Sequence, residues 1–94
     1  MNIAIDFDGT FDRDTVAWGA VVQVLQESGH QLFMVTGRNN DDKELVRQWA
    51  ECSGISRGRV ICTNGEAKRW HCEHRGLKID VWIDDDPSSI INGK

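Results

Sequence analysis

Four short apolar runs, separated by segments with helical character, constrain the fold of this 94-residue chain more than any other feature. The runs occupy residues 3–5, 32–35, 60–62 and 81–83. Continuous apolar runs of this length are typical of parallel strands that are buried on both faces. Because strands and helices alternate as β-α-β-α-β-α-β, we predict an α/β fold with a parallel sheet, right-handed crossovers and helices on both faces.

Capping residues and apolar spacing locate the helices between these runs. Asp14 is placed to cap the first helix, and Asn64 is placed to cap the third. Asp41 with Glu44 resembles a capping box for the second helix. The first helix is apolar at most positions, which predicts deep burial. Core packing is also the expected role of the four tryptophans: Trp18, Trp49, Trp70 and Trp82.

Length and composition predict one small cytoplasmic domain over residues 1–94. No apolar run approaches the roughly 20 residues that a membrane span needs. The first strand begins directly after Met1, which leaves no room for a signal peptide. The chain has 3 cysteines, an odd number, so reduced and buried thiols are expected rather than disulfides.

The net charge is −4, and the acidic residues are unevenly distributed along the chain. Five of the 15 acidic residues belong to the two aspartate motifs described below, and the rest of the surface is close to neutral. A local excess of basic residues between positions 53 and 79 is interpreted as a solvated face. The sequence therefore carries no strong signal for nucleic-acid binding.

Two aspartates, Asp6 and Asp8, directly follow the first apolar run, in the sequence D-x-D-G-T. Alternate side chains of a strand point the same way, so we expect both carboxylates to address one spot at the strand's end. Carboxylates this close either repel one another or share a hard cation such as Mg²⁺. An aspartate beside Mg²⁺ is also a nucleophile toward phosphorus, through an aspartyl-phosphate.

Polar residues also follow the other three runs, at the edge where open α/β sheets bind their ligands. Thr36 ends the second run, and Lys68 falls in the first turn of the helix after the third run. Asp84 and Asp85 follow the fourth run. Lys78 is a rival to Lys68, but it precedes the fourth strand and is expected at the opposite edge of the sheet.

This series of motifs resembles the haloacid dehalogenase (HAD) superfamily of phosphotransferases. The shared order is D-x-D, an apolar strand ending in Thr or Ser, a Lys, and an apolar strand ending in D-D, and it spans residues 3–85. The resemblance implies a doubly wound, three-layer Rossmann-like core of about four strands in the order 3-2-1-4. It also implies a Mg²⁺-dependent phosphoric monoester hydrolase that acts through an aspartyl-phosphate. The intervals between motifs are too short for a cap domain, so a minimal, capless member is expected.

Residue roles follow from the same resemblance. Asp6 would be the nucleophile, and Asp8 would protonate the leaving oxygen and then activate water. The backbone carbonyl of Asp8 would also bind Mg²⁺, and Asp84 would complete the metal shell. Thr36 would donate to a phosphoryl oxygen, while Lys68 would act as a cationic clamp between the phosphate and the nucleophile.

The resemblance also bears on further positions near the motifs. Asp85 would be a second metal ligand or a water anchor, and which two of Asp84, Asp85 and Asp86 serve the metal stays open. Gly37 and Arg38 follow Thr36 in a T-G-R sequence similar to that of sugar-phosphate phosphatases in the superfamily. Arg38 would then contact a substrate phosphate.

Three other interpretations compete with this one. A non-catalytic HAD-like module that binds Mg²⁺ or phosphate is the main alternative, although retention of both Asp6 and Asp8 favours catalysis. A response-regulator receiver domain is disfavoured because its lysine comes last, after the acidic motifs. His71 and His74 share a helical face but supply too few ligands for a zinc site.

The substrate and the oligomeric state follow from what the chain lacks. With no cap and a flap of only residues 11–14, a lone subunit would leave the site open to water. The near-neutral surface favours a phosphorylated small molecule over a polyanionic macromolecule. Apolar area contributed by the tryptophans predicts a homo-oligomer.

Overall fold

The computed structural model describes residues 1–93 and has one parallel sheet at its centre. The strands are β1 (Asn2–Ile5), β2 (Gln31–Thr36), β3 (Val60–Cys62) and β4 (Val81–Ile83). All three pairings are parallel, and the strand order is β3-β2-β1-β4. The predicted α/β class and strand order are therefore confirmed, and no cap domain is evident among residues 1–93.

Four helices connect and follow the strands. They are α1 (Thr15–Glu27), α2 (Lys43–Cys52), α3 (Lys68–His74) and the short α4 (Ser88–Ile91). Single 3-10 turns at Phe11–Arg13, Asn40–Asp42 and Arg57–Arg59 complete the connections. Within residues 1–93, no helix is both long and apolar enough to cross a membrane.

The core has two parts, one on each face of the sheet. One cluster packs α1 and α2 against the sheet and includes Ile5, Val22 and Val46. The other packs α3 against the opposite face and includes Val35 and Cys72. Residues on adjacent positions of a strand alternate between these clusters, as expected for a sheet covered on both faces.

Two of the three predicted helix caps are wrong. Asp14 does cap α1, because its side chain accepts from the backbone N–H of Ala17 at 3.0 Å. Asp41 instead lies in a 3-10 turn that Asn39 caps. The helix α2 begins at Lys43, and its N-cap residue is Asp42 rather than Asp41. Asn64 has a left-handed φ of 54° and belongs to the turn before α3. At Asp41 the competing interaction is the local cap from Asn39, and at Asn64 it is the backbone hydrogen bond to the Arg38 carbonyl in the neighbouring loop.

The predicted deep burial of α1 is also wrong. Only Val22 of this helix is fully buried, whereas Val16 and Val24 are 82% and 60% exposed. A helix can pack only one stripe of its surface against a sheet. An all-round apolar sequence therefore does not bury all of its residues when only one side has a partner.

The expectation that all four tryptophans fill the core holds for only two. Trp18 and Trp82 are partly buried against the two core clusters. Trp49 and Trp70 are 42% and 53% exposed, and the Trp70 ring stacks on the His74 imidazole. Similarly, Cys52 is an exposed free thiol, although the other two cysteines are buried as predicted.

Candidate active site

The carboxyl edge of the sheet collects the motif residues into one cavity of about 360 Å³. Predicted site residues lining it are Asp6, Asp8, Gly37, Arg38, Lys68, Asp84 and Asp85. Thr36 is not among the lining residues and is only 1% exposed. Its hydroxyl donates to Asp8 Oδ2 at 3.5 Å, and Asp8 lines the cavity. The loops after β2 and β3 are joined by backbone bonds from Asn64 and Gly65 to the residue 37–38 turn, which fixes this wall of the site.

Three charged residues form a buried group that we call the inner cluster: Asp6, Lys68 and Asp84. The Lys68 Nζ donates to Asp6 Oδ1 at 2.9 Å and to Asp84 Oδ2 at 2.5 Å. The three side chains are only 2–7% exposed. Because Lys68 is the first residue of α3, its side chain tilts back toward the helix N-terminus and the strand ends. The first-turn position predicted for Lys68 is therefore confirmed.

Burial dominates the electrostatics of the inner cluster. It raises the pKa of Asp6 from 3.8 to about 7, although the hydrogen bond from Lys68 opposes this shift. Burial alone would lower the pKa of Lys68, but hydrogen bonds to Asp84 and Asp6 outweigh it and raise that pKa. One ammonium group shared by two carboxylates leaves the cluster with excess negative charge when both acids are ionised.

Asp85 stands beside the inner cluster and is held by a residue that sequence reasoning missed. The buried Thr10 hydroxyl donates to Asp85 Oδ1 and accepts from the Asp85 backbone N–H, both at 3.0 Å. The hydrogen bond from Thr10 holds the pKa of Asp85 below its usual value. The Thr of D-x-D-G-T is thus a positioning residue that joins the first and last motifs.

Gly9 makes this approach of the two motifs possible. Its φ is +84°, and a Cβ at this position would lie 2.5 Å from Asp85 Oδ2. A side chain would therefore be both strained and in collision with the carboxylate. The glycine of D-x-D-G-T leaves room for Asp85 to reach the site.

Asp8 and Arg38 form a second charged group, which we call the outer pair. The Arg38 Nε and Nη2 donate to the two Asp8 carboxylate oxygens, both at 2.8 Å. The side chains are 30% and 47% exposed for Arg38 and Asp8. Hydrogen bonds from Arg38 hold the pKa of Asp8 below its usual value, and the Arg38 guanidinium also lies 5.3 Å from the Phe7 ring centre.

The explanation for why Asp6 and Asp8 share the site differs from the expected one. β1 ends at Ile5, and residues 7–10 form a turn. The two carboxylates therefore do not share a site through strand alternation. They line the same cavity because the turn folds back over the strand end, where Asp8 meets Arg38.

Asp6, Asp84 and Asp85 have the donor set of a hard-cation site. Each offers a carboxylate oxygen, and these oxygens all lie within 4.8 Å of one another. Carboxylate oxygens are the ligands that Mg²⁺ and Ca²⁺ prefer, and the excess negative charge of the group favours a divalent cation. The residues present therefore fit the expected metal.

Asp86 and Lys78 have positions that separate them from the inner cluster. Asp86 lines the mouth of the cavity and accepts a hydrogen bond from the Ser88 hydroxyl at 2.5 Å, at the start of α4. The Lys78 carbonyl accepts from the Asn2 side chain at the start of β1. Lys78 thus lies at the amino edge of the sheet, as predicted. Of the three C-terminal aspartates, Asp84 and Asp85 are the two that face Asp6.

Comparisons with protein-family models, with curated proteins and with solved structures found no match to this chain.

Proposed function

We propose that this protein is a Mg²⁺-dependent phosphoric monoester hydrolase that acts through an aspartyl-phosphate on Asp6. The observation that carries the proposal is the inner cluster, in which one buried lysine is hydrogen-bonded to two carboxylates beside a third. A buried group of acids with one lysine is costly to keep without a function. Metal-assisted phosphoryl transfer uses every member of it.

Asp6 is the proposed nucleophile. One of its oxygens would attack phosphorus as the ester P–O bond breaks, which gives an aspartyl-phosphate and an alcohol. Lys68, which already donates to Asp6, would orient that carboxylate and offset the charge of the phosphoryl oxygens. Water would then attack phosphorus, release inorganic phosphate and regenerate the Asp6 carboxylate.

Asp8 is the candidate acid and base for the two steps. As an acid it would give its proton to the leaving alkoxide, and as a base it would take a proton from the attacking water. In the free protein its carboxylate is bound to Arg38, which favours the ionised form. Proton donation therefore requires Asp8 to separate from Arg38 during the cycle.

Asp6, Asp84 and Asp85 would hold the Mg²⁺, with the backbone carbonyl of Asp8 as a further oxygen donor. Bound there, Mg²⁺ would neutralise charge that builds on the phosphoryl oxygens and hold them in line with the nucleophile. Thr10 and Gly9 serve this site indirectly because they place the Asp85 carboxylate.

Hydrolysis of p-nitrophenyl phosphate by the purified protein, with and without millimolar Mg²⁺, tests the proposal. We expect turnover that a chelator abolishes and that Asp6→Asn removes together with phosphoenzyme formation. The control is Asp80→Asn, since Asp80 lies at the amino edge and pairs with the Asn2 backbone. Phosphoryl trapped on a residue other than Asp6, or full activity of Asp6→Asn, would refute the mechanism.

A non-catalytic module that binds Mg²⁺ and phosphate is the second candidate. The bidentate hydrogen bonds between Arg38 and Asp8 favour it, because they oppose protonation of the acid that catalysis needs. This candidate predicts a thermal shift with Mg²⁺ and inorganic phosphate but no turnover of any monoester. Turnover that depends on both Asp6 and Asp8 would exclude it.

A further inference from the structure

The mouth of the candidate active site is walled by the C-terminal part of the described chain. We call this wall the outer rim: Glu66, Asp86, Ser89 and Asn92. Gly93 packs so closely that a Cβ on it would lie 3.3 Å from both the Ala67 nitrogen and the Gly65 carbonyl oxygen. The end of α4 is therefore fixed against the loop that carries Glu66. These residues line the same cavity as Asp6 and Asp8, so a substrate whose phosphate reaches Asp6 would share that cavity with the outer rim.

The positive charges of the cavity are already engaged. Among the described residues that line it, Lys68 and Arg38 are the only cations. Lys68 is bound between two carboxylates of the inner cluster, and Arg38 is bound to Asp8. A Mg²⁺ ion and Lys68 would be taken up by the transferred phosphoryl group. Arg38, once Asp8 leaves it, would contact the same phosphoryl group, so no cation of the described cavity would remain for a second anionic group of the substrate.

The two charged residues of the outer rim, Glu66 and Asp86, are acidic, and hydrogen bonds hold both carboxylates in place. The Glu66 carboxylate accepts a hydrogen bond from His71 Nδ1 at 2.7 Å, so it does not swing freely in solvent. Asp86 accepts from the Ser88 hydroxyl, which holds it at the start of α4. Ser89 and Asn92 add a hydroxyl and an amide. The two carboxylates repel anions and attract cations, and the hydroxyl and amide can hydrogen-bond to hydroxyl groups.

We propose that the physiological substrate is a small phosphate monoester whose alcohol is neutral or carries an ammonium group, with no second anionic group. This inference rests on the proposed phosphatase function and specifies its substrate class. Glu66 is the specificity-determining residue that we assign. It lines the cavity that the leaving group would share, and it has no role in the proposed transfer of the phosphoryl group.

Three substrates of matched size test the inference. Phosphoethanolamine, ethylene glycol monophosphate and phosphoglycolate differ mainly in an ammonium, a hydroxyl and a carboxylate on the same two-carbon chain. We expect kcat/KM to fall in that order, by about tenfold between the first and the last at low ionic strength. The ratio should decrease strongly toward about 1 M salt, where the screening length is about 3 Å.

Substitution of one rim charge locates the effect. Glu66→Gln should reduce the ratio between the ammonium and carboxylate substrates by about threefold, as expected for one exposed charge. Glu73→Gln is the matched control, because it removes the same charge from an exposed residue that lines a separate cavity beneath α3. The control should leave the ratio unchanged.

The possible results separate the inference from the function on which it rests. Hydrolysis of p-nitrophenyl phosphate combined with equal or faster turnover of phosphoglycolate would overturn the substrate class and leave the phosphatase intact. A preference for ammonium that Glu66→Gln does not alter would overturn the role of Glu66. No hydrolysis of any monoester, including the aryl phosphate, would overturn the function and the inference together.

Discussion

The inner cluster and the outer pair contain hydrogen-bonded ions at similar distances, yet their surroundings give them opposite properties. Lys68 lies 2.9 Å from Asp6, and Arg38 lies 2.8 Å from Asp8. The first carboxylate has a pKa raised to about 7, and the second has a pKa lowered from 3.8. Asp6 has lost its water, whereas Asp8 keeps much of its own and gains a bidentate partner. Exposure to solvent, rather than distance to the cation, decides the sign of the shift.

The difference matches the tasks that we propose for the two aspartates. A buried carboxylate held by a lysine is fixed for attack on phosphorus and shielded from water. A half-exposed carboxylate held by an arginine can exchange its partner when a substrate arrives. The same edge of the sheet therefore supplies one rigid acid and one acid that can be released.

Replacement of Lys68 should have the largest effect. Lys68→Met leaves Asp6 and Asp84 buried without their cation, so we expect the metal-free protein to lose about 3–5 kcal/mol of stability and its turnover. Urea denaturation in the presence of a chelator measures the first quantity. Lys78→Met is the control at the opposite edge and should stay within about 0.5 kcal/mol of wild type. An equal loss of stability in Lys68→Met and Lys78→Met would show that burial does not make the Lys68 ion pairs special.

The pH dependence of stability should have opposite signs for the two aspartates. Asp6 binds its proton more tightly in the folded state, so its contribution is complete below pH 3.8 and is lost as pH rises through about 7. The contribution of Asp8 is present above its usual pKa and is lost as pH falls through its lowered folded value.

Denaturation of metal-free protein between pH 3 and 8 checks both signs. The stability difference between wild type and Asp6→Asn should fall with rising pH, and that between wild type and Asp8→Asn should increase as pH rises through the acidic range. If both stability differences changed with pH in the same direction, burial would not explain the opposite pKa shifts of Asp6 and Asp8.

Thr10 should have an intermediate effect because it is buried while its partner Asp85 is exposed. Thr10→Val removes two hydrogen bonds to Asp85, and we expect a loss of about 1 kcal/mol and weaker Mg²⁺ binding. Thr63 is the matched control, since it is fully buried and its hydroxyl has no partner among the described residues. Thr63→Val should be neutral or stabilising, as judged from calorimetric melting and Mg²⁺ titration. A Thr10→Val protein with unchanged Mg²⁺ affinity would remove the positioning role.

Arg38 should have the smallest effect on stability. Arg38→Gln breaks a partly exposed pair whose members regain water, so the expected loss is about 0.2–1 kcal/mol. Chemical denaturation at low and high salt measures it, and the difference from wild type should shrink with salt. A loss as large as that of Lys68→Met would mean that the outer pair supports the fold as the inner cluster does.

The sequence predicted the strands and the inner cluster because both depend on strong, local signals. Short apolar runs located β1 to β4 and predicted a parallel sheet, while the strand order was implied by the resemblance to the HAD superfamily. Parallel strands bring Asp6, Lys68 and Asp84 to one edge whatever the loops do. The outer pair was not predicted. It needs the turn after β1 to meet the turn after β2, and neither geometry follows from residue types alone.

Helix faces and helix starts were harder to predict for a physical reason. In α2, Val46 and Ala50 face the core, while Leu45 and Trp49 occupy the neighbouring stripe and stay exposed. The two stripes are about 100° apart and both have the correct spacing, so periodicity does not choose between them. Asn64 was misassigned because a residue that favours caps also favours left-handed turns.

The pairing of β4 with β1 has a consequence for how the protein acquires its site. The Thr10–Asp85 hydrogen bond closes a loop of 75 residues, far longer than the loops of the β1-α1-β2 unit. Contacts between distant parts of a chain form late, because the entropy of closing the loop must be overcome first. During synthesis, the first motif therefore leaves the ribosome well before its partners, and Asp6 stays solvated with an ordinary pKa until β4 docks. The ability to bind metal should appear in one late step, together with the last strand.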